Sequence, residues 1–350
     1  MSSILEAIAE DPGLYLMDLQ GDDLRLQTMT REAFHRSIFL DERIVHGGRQ
    51  GFRAPLDAVL DGYAGPPPAE RPIALIFHVA QCGSTLLARA LDLPGRDLVL
   101  REPAALRSLG VMARLESAEG ADALGPRLRR LLPFVLSVLG KHWPDEASVV
   151  VKANVPVNFI AREILDLEPH AAAILLHFPL DSYVAAVMRT EGHERWVDTI
   201  FRELRLDSSP WAAASPPRDT AERAACLWFA QMKAFEPLPA EFSNVRSLSA
   251  GAFFDSPAET IAAAAGLFGI ELEQGEAMHI ASGELFATYS KNPALDYDPE
   301  VREAREAEAR SRLASQIGEA RTWALAARDR HGLCESLGSP LVGEAVPLLG

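Results

Sequence analysis

Short apolar blocks alternate with longer amphipathic ones along most of the chain, and this pattern predicts alternating strands and helices. Five blocks have the length and apolar composition of buried strands. The segments between them carry apolar residues at helical spacing. Such an alternation is typical of an α/β fold in which helices cover both faces of a parallel sheet. The predicted strands are residues 73–79, 97–100, 148–151, 172–178 and 245–248, and the predicted helices lie near residues 84–92, 123–139, 157–166, 181–190, 219–235 and 257–268.

The first 65 residues depart from this alternation and predict a small α+β appendage. Segments 14–18 and 24–27 flank the turn residues Gly21-Asp22-Asp23, which predicts a hairpin. A short helix over 31–36 and an extended stretch at 38–40 are expected to follow.

We expect a single α/β domain after this appendage. A proline-rich linker at residues 66–72 leads into the domain, which spans 73–335, and residues 336–350 form a tail. Residues 191–218 contain two proline-rich stretches and predict a partly irregular insertion or lid. Residues 299–330, rich in Ala, Arg and Glu, predict one solvated amphipathic helix.

Composition and charge argue against some classes of protein and favour others. The chain has 350 residues, of which 48% are hydrophobic and 24% charged, as in soluble globular proteins. A formal net charge of −15 argues against a nucleic-acid binder. The sequence lacks an apolar run of membrane-spanning length and a basic, apolar leader. The three cysteines, Cys82, Cys226 and Cys334, are far apart, which favours reduced thiols and a cytoplasmic location.

The loop after the first predicted strand carries the strongest functional signal. Ala80-Gln81-Cys82-Gly83 links the strand to a helix that opens with Ser84-Thr85. Free backbone N–H groups, the helix dipole and two hydroxyls would then converge on one spot, which suits an anion. The alternative is an ordinary strand–helix turn in which the serine caps the helix.

The loop matches neither of the two common nucleotide-binding patterns. It lacks the Gly-Lys-Ser/Thr end of a Walker A motif, and no GxGxxG follows the strand. The segment 82–87, Cys-Gly-Ser-Thr-Leu-Leu, instead resembles the 5′-phosphosulfate loop of the sulfotransferase family, whose bacterial members use 3′-phosphoadenylyl sulfate. Those members often have arginine where this chain has Gln81.

Other landmarks of that family occur in the expected order, so the resemblance covers about residues 73–295 and implies a P-loop-like parallel sheet. Glu102 and Lys152 follow the second and third predicted strands. The fourth strand ends in His177, where the family has arginine, and is followed by Asp181 and Ala185. Residues 253–270 resemble the family's last strand-to-helix stretch.

The resemblance implies a role for two of these residues in catalysis. Glu102, at the sheet edge where ligands bind in open parallel sheets, is the expected general base. Lys152 is expected to stabilise the leaving group's bridging oxygen. The alternatives are an ion pair of Glu102 with Arg101 or Arg107, and a structural salt bridge for Lys152.

The same resemblance implies the donor-binding residues. His177 is the expected contact of the 3′-phosphate, and Lys291 in a Tyr-Ser-Lys stretch is a second phosphate candidate. Arg189, two turns into the following helix, is not expected to reach the site. The 5′-phosphosulfate would be held by Gln81, Cys82, Gly83, Ser84, Thr85 and Leu86.

Three functions are compatible with this sequence. The first is a sulfotransferase that uses 3′-phosphoadenylyl sulfate, needs no metal and modifies a hydroxyl or amine on a small-molecule or peptidyl acceptor. The second is a catalytically inactive binding or scaffold protein with the same fold, which Gln81, His177 and Ala185 favour. The third, a nucleotide-dependent kinase, is disfavoured because the Walker lysine and a Mg²⁺ carboxylate are both missing.

Overall fold

Five buried parallel strands form the central sheet of the protein. The structure, a computed structural model, describes residues 2–45, 51–63, 73–117, 124–289, 292–296 and 299–349. All five predicted strands are present, each within one residue of its predicted ends. They pair in the order β5-β6-β4-β7-β8. Their bounds are Ala74–His78 (β4), Asp97–Arg101 (β5), Ser148–Lys152 (β6), Ala173–His177 (β7) and Val245–Ser249 (β8).

Helices flank this sheet, which confirms the predicted α/β class. Every residue of β4, β5, β6 and β7 is buried, so both faces of the sheet are covered. The helices of the domain are Ser84–Ala90 (α4), Ala104–Ser117 (α5), Pro126–Leu139 (α6), Ala161–Leu167 (α7), Leu180–Val187 (α8), Glu191–Glu203 (α9), Pro210–Ala214 (α10), Thr220–Phe235 (α11), Leu238–Glu241 (α12), Ala250–Asp255 (α13), Pro257–Phe268 (α14), Glu276–Ala281 (α15), Glu284–Ala287 (α16), Pro299–Arg312 (α17) and Ala314–His331 (α18), with 3₁₀ turns at Val155–Ile160 and Leu206–Ser208 and a short pair of strands, Thr288–Tyr289 (β9) and Asn292–Asp296 (β10).

Two segments in the later part of the domain differ from their predictions. Residues 191–218 are more helical than predicted, because Thr190 and Ser209 cap helices and Pro210 starts one instead of breaking it. That this segment is an insertion or lid stays a prediction. The predicted single helix over 299–330 is two helices, α17 and α18. The second is only partly solvated, since it buries Trp323 and several small residues against α11.

The N-terminal segment, which we call the N-terminal module (residues 2–63), forms a small antiparallel sheet of its own. The predicted hairpin and the helix over 31–36 are both present, whereas residues 38–40 bend and do not form a strand. The predicted linker at 66–72 lies outside the described residues. The elements of the module are Ser2–Glu10 (α1), Leu14–Gln20 (β1), Asp23–Thr28 (β2), Arg31–Arg36 (α2), Phe52–Pro55 (β3) and Leu56–Gly62 (α3), with the strands in the order β1-β2-β3.

A buried arginine joins the module to the central sheet. Arg101 ends β5 and is 1% exposed. Its guanidinium donates to Oδ2 of Asp92 at 2.8 Å and to the backbone oxygens of Phe34, His35 and Ser37 at 2.6–2.9 Å. A buried guanidinium is tolerated only when its donors are satisfied, and here the module supplies most of the acceptors. The module and the sheet therefore fold as one packed unit with a shared hydrophobic core.

None of the helices in the described part of the chain combines the length and the apolar character that a bilayer crossing requires.

Candidate functional site

A cavity of about 830 Å³ opens above the carboxyl ends of the central strands. This is the edge at which ligands bind in open parallel sheets. Its volume lies in the range of small-molecule sites. Residues from β4, β5, β6 and the turns after them form its floor, and side chains of α8, α9, α16 and α17 form much of its wall.

The loop between β4 and α4 has an unusual backbone that faces this cavity. Gln81 has φ +66° and Gly83 has φ +87°, so two left-handed residues lie within three positions. A Cβ on Gly83 would approach the ring of Phe254 to 2.7 Å, which explains why glycine occupies this position. The left-handed conformation of Gln81 costs free energy that the surrounding structure has to offset, as is common at functional sites.

The start of α4 presents unsatisfied polar groups to the cavity. Gly83 provides no side-chain cap, and the first backbone N–H groups of a helix have no intrahelical acceptor. Ser84, Thr85 and Leu86 all line the cavity. The hydroxyl of Thr85 is buried and has no hydrogen-bond partner among the described residues. A tetrahedral anion would satisfy these donors, so the predicted loop residues fit a phosphate or sulfate group.

The two predicted catalytic residues meet in the same cavity. Glu102 follows β5 and Lys152 ends β6, and the ammonium group of Lys152 donates a hydrogen bond to the Glu102 carboxylate. Arg101 and Arg107, the partners considered for Glu102, bind other groups, since Arg101 holds the N-terminal module and Arg107 pairs with Glu203. The two site candidates are therefore each other's ion-pair partners.

The carboxylate of Glu102 has two further polar neighbours. Nδ2 of Asn154 lies 3.4 Å from its Oε2, and Nε2 of His78 lies 3.9 Å from its Oε1. Both nitrogens of the His78 ring lie 2.8 Å from backbone oxygens, those of Val79 and Ala153. Which of the two carbonyls accepts a hydrogen bond from the ring depends on the tautomer. Glu102 itself has φ +58° and is, after Gln81, the second left-handed residue at the cavity floor that is not glycine.

The side chains of two predicted donor-binding residues do not line the cavity. Cys82 is fully buried, and its thiol donates to the backbone oxygen of Val79 at 2.9 Å. His177 is 2% exposed, and its Nδ1 lies 3.3 Å from the backbone oxygen of Leu175. Burial lowers the pKa of His177 to about 4, so the ring is neutral at physiological pH. Lys291 lies outside the described residues.

Arg189 does line the cavity, contrary to expectation. It extends the face of α8 on which Ser182, Ala185 and Ala186 also face the cavity. Its guanidinium has no ion pair with any residue that the structure describes. Arg302 of α17 also lines the cavity and lies over the ring of Phe254, with 4.3 Å between its guanidinium carbon and the ring centroid. Because α17 packs against α8, these two arginines provide cations on the β7 side of the loop.

Sequence reasoning also missed residues that other elements bring to the cavity. Phe39 of the N-terminal module, His78 in β4 and His193 in α9 all line it. Nε2 of His193 lies 3.4 Å from Nε2 of Gln81. A histidine in an otherwise apolar strand was a usable signal for His78, whereas nothing in the sequence pointed to Phe39. Among the tryptophans of this region Trp196 lines the cavity, and Trp228 is in the core.

Cationic side chains outnumber anionic ones among the described lining residues of the cavity, although the chain as a whole is acidic. Among the described lining residues, Arg43, Arg107, Lys152, Arg189 and Arg302 stand against the carboxylates of Glu102 and Glu306. Within the same described part of the chain, no cluster of His, Cys, Asp and Glu is placed to hold a metal ion. The arrangement suits an anionic ligand and a proton transfer through Glu102.

Comparison with known proteins adds two solved structures. No family model and no curated protein matches the chain. A sulfotransferase from Alicyclobacillus acidocaldarius aligns with 71% of this chain and 97% of its own, at 14% identity and a TM-score of 0.36. A sulfotransferase domain from the curacin biosynthetic pathway aligns with 70% and 98%, at 11% identity and a TM-score of 0.38. Values this low do not assign the chain to their family.

Proposed function

We propose that the protein transfers a sulfuryl group from 3′-phosphoadenylyl sulfate to a hydroxyl or amine acceptor. One observation carries the proposal: the unsatisfied donors of the loop and the Glu102–Lys152 pair line the same cavity. The resemblance of residues 82–87 to the family's 5′-phosphosulfate loop supports the choice of sulfuryl over phosphoryl transfer. The loop also lacks the lysine with which a Walker A motif binds nucleotide phosphates.

The residues of the chain have separate tasks in this reaction. The backbone N–H groups of Ser84 and Thr85 and the Thr85 hydroxyl bind the anionic end of the donor. The donor supplies an already activated sulfuryl group. Glu102 accepts the proton that the acceptor hydroxyl loses as its oxygen bonds to sulfur. Lys152 lies beside this carboxylate and stabilises the negative charge that the departing bisphosphate gains.

On the donor side, the cations come from helices instead of strand ends. Arg189 and Arg302 line the part of the cavity beyond the loop and replace the charge that His177 does not provide. Arginine offers a charged fork to a phosphate, whereas a buried neutral imidazole offers one hydrogen bond at most.

Isothermal titration with adenosine 3′,5′-bisphosphate tests the proposal, with ATP and Mg²⁺ as the comparison ligand. We expect micromolar binding of the bisphosphate alone, weakened in Thr85→Val and in Arg189→Gln. Cys82→Ala is the matched control, since that side chain lies in the same loop and points into the core. Binding of ATP with Mg²⁺ and not of the bisphosphate would refute the proposal.

A non-catalytic protein with this fold is the second candidate, and two observations favour it. The charge of Lys152 is bound by Glu102, and Gln81 stands where the family has a cation. This candidate predicts no bisphosphate binding even at millimolar concentration. The same titration therefore separates the two functions.

A further inference from the structure

The order of the strands divides the cavity into two halves. The loop follows β4, the central strand, with β5 and β6 on one side and β7 and β8 on the other. Glu102 and Lys152 lie on the β5–β6 side, whereas Arg189 follows β7 through α8. If Glu102 takes a proton from the acceptor, the acceptor lies in the β5–β6 half. We call this part of the cavity the acceptor half.

The walls of the acceptor half are apolar and partly aromatic. Val155 and Pro156 follow β6, and Phe39 extends from the N-terminal module. Ile200 and Trp196 come from α9, whose C-terminal end is held beside α5 by the 2.5 Å ion pair between Arg107 and Glu203. These surfaces match an apolar or ring-shaped body of the ligand.

The polar groups of the acceptor half are chiefly cationic. Arg43 and Arg107 line it together with Lys152, and Glu102 is its carboxylate among the described lining residues. Asp41 and Glu203, which pair with the two arginines, do not line the cavity. An arginine has five donors, so a side chain held by one carboxylate keeps others for a ligand. These remaining cationic N–H donors can bind an anionic substituent.

The wall that the N-terminal module provides is fixed relative to Glu102. Leu40, next to Phe39, donates its N–H to the oxygen of Arg101 at 2.8 Å and accepts from the N–H of Ala104 at 3.3 Å. One bond is therefore made by the residue before Glu102 and the other by the residue two positions after it. The guanidinium of Arg43 lies 4.0 Å from the centroid of the Phe39 ring, and Nζ of Lys152 lies 5.7 Å from it. The ring therefore has a defined position beside the reactive carboxylate.

We infer that the acceptor is an aryl alcohol or amine that carries a carboxylate, and that Phe39 and Arg43 of the N-terminal module help to bind it. This inference rests on the proposed function for the identity of the reacting half. Phe39 and Trp196 contact the ring, and Arg43 and Arg107 bind the carboxylate. The module thereby becomes a specificity element instead of an appendage.

The experiment is a titration with a panel of aryl hydroxy acids, each paired with its neutral methyl ester. Both members of a pair are titrated into the protein alone and into the protein saturated with adenosine 3′,5′-bisphosphate. We expect at least one acid to bind about tenfold more tightly than its ester, the worth of a charge-assisted hydrogen bond. If every ester binds as well as its acid, or no pair member binds, the inference is wrong.

Variants of the lining residues show which side chains produce the preference for the acid over its ester. The double variant Arg43→Gln/Arg107→Gln should bring acid and ester to equal affinity, and Phe39→Leu should weaken both members of the pair alike. Arg53→Gln is the matched control, because this arginine is on β3 of the module, 62% exposed, and does not line the cavity. An acid preference that survives in the double variant overturns the inference.

The two proposals can fail separately. Preference for the acid without any bisphosphate binding would refute sulfuryl transfer and leave the anionic aryl ligand standing. Bisphosphate binding without preference for the acid would refute the inference about the acceptor and leave the proposed sulfuryl transfer standing.

Discussion

The carboxylate of Glu102 accepts a hydrogen bond from the ammonium group of Lys152, and these residues lie at the carboxyl ends of neighbouring parallel strands. Lys152 is 1% exposed and Glu102 is 19% exposed, both measured on the side chain. A buried ammonium needs a compensating charge, because the free energy of removing it from water is large. Glu102 therefore neutralises a buried cation and at the same time lines the cavity.

Neutralising Glu102 should separate turnover from donor binding. Glu102→Gln keeps a polar side chain of the same length but cannot accept a proton as a carboxylate does. We expect sulfuryl transfer to fall by about 100-fold or more, while bisphosphate affinity stays close to that of the native protein. A radiolabelled-donor assay and calorimetry measure the two. Undiminished turnover in this variant would exclude Glu102 as the base.

The ion pair of Glu102 with Lys152 should contribute to the free energy of unfolding. Glu102→Ala leaves Lys152 buried without its partner and should lower the free energy of unfolding by about 3 kcal/mol. Adding Lys152→Met removes the stranded charge and should recover part of that loss. Urea unfolding of both single variants and the double variant gives the coupling energy. Additive losses would mean that the contact contributes nothing.

Gly83 should be more sensitive to alanine than a matched glycine elsewhere. Gly83→Ala places a Cβ 2.7 Å from the Phe254 ring and also forces a left-handed alanine. Gly21, with φ +63° and open space around it, carries the backbone penalty alone. We expect Gly21→Ala to cost about 1 kcal/mol and Gly83→Ala clearly more, together with loss of bisphosphate binding. Equal costs for the two would show that the ring does not restrict the loop.

His177 should make the protein less stable in mild acid. Burial lowers its pKa to about 4 from 6.5, so between these values the unfolded chain binds a proton that the folded chain does not. The free energy of unfolding should therefore fall as the pH drops from 6.5 to 4, by up to about 3 kcal/mol from this residue. His177→Asn should flatten that slope. His142→Asn, at an exposed position, is the control and should leave it unchanged.

Cys82 should be chemically inert although it lies in the functional loop. Its thiol is buried and donates to the backbone oxygen of Val79. Cys226 is also buried, and burial raises its pKa to about 12, whereas Cys334 is partly exposed. A thiol reagent should therefore modify Cys334 first, and Cys82→Ala should leave bisphosphate binding intact. Rapid modification of Cys82 in the folded protein would contradict this assignment.

The sheet and the floor of the site could be predicted because local signals determine them. A strand buried on both faces is a continuous apolar run, so each of the five strands was visible within one residue of its ends. Parallel strands bring their carboxyl ends to one edge, which placed Glu102 and Lys152 together with the loop. Both inferences need only the chain itself and the geometry of parallel sheets.

The walls of the site could not be predicted because distant contacts build them. Phe39 is more than 60 positions from Glu102, and contacts between distant segments bring it there, among them the hydrogen bonds of Leu40 with Arg101 and Ala104 and those of the Arg101 guanidinium with residues 34–37. Arg189 could have been found from the sequence, since it follows Ser182 and Ala185 at helical spacing on one face of the helix predicted over 181–190. The helix starting at Pro210 was missed because proline was taken for a break, although it is favourable in the first turn.

The hydrogen bonds of the Arg101 guanidinium also restrict where this chain can be joined to a homologous chain in a chimera. Its acceptors lie in residues 34–37 and at Asp92, so these segments have to come from the same parent if the buried charge is to be satisfied. A crossover in the proline-rich segment at 66–72, which looks like the natural joint of the chain, would split them. The smallest block that a chimera can inherit intact runs from α2 to the start of α5, and it includes Phe39, Arg43 and Glu102.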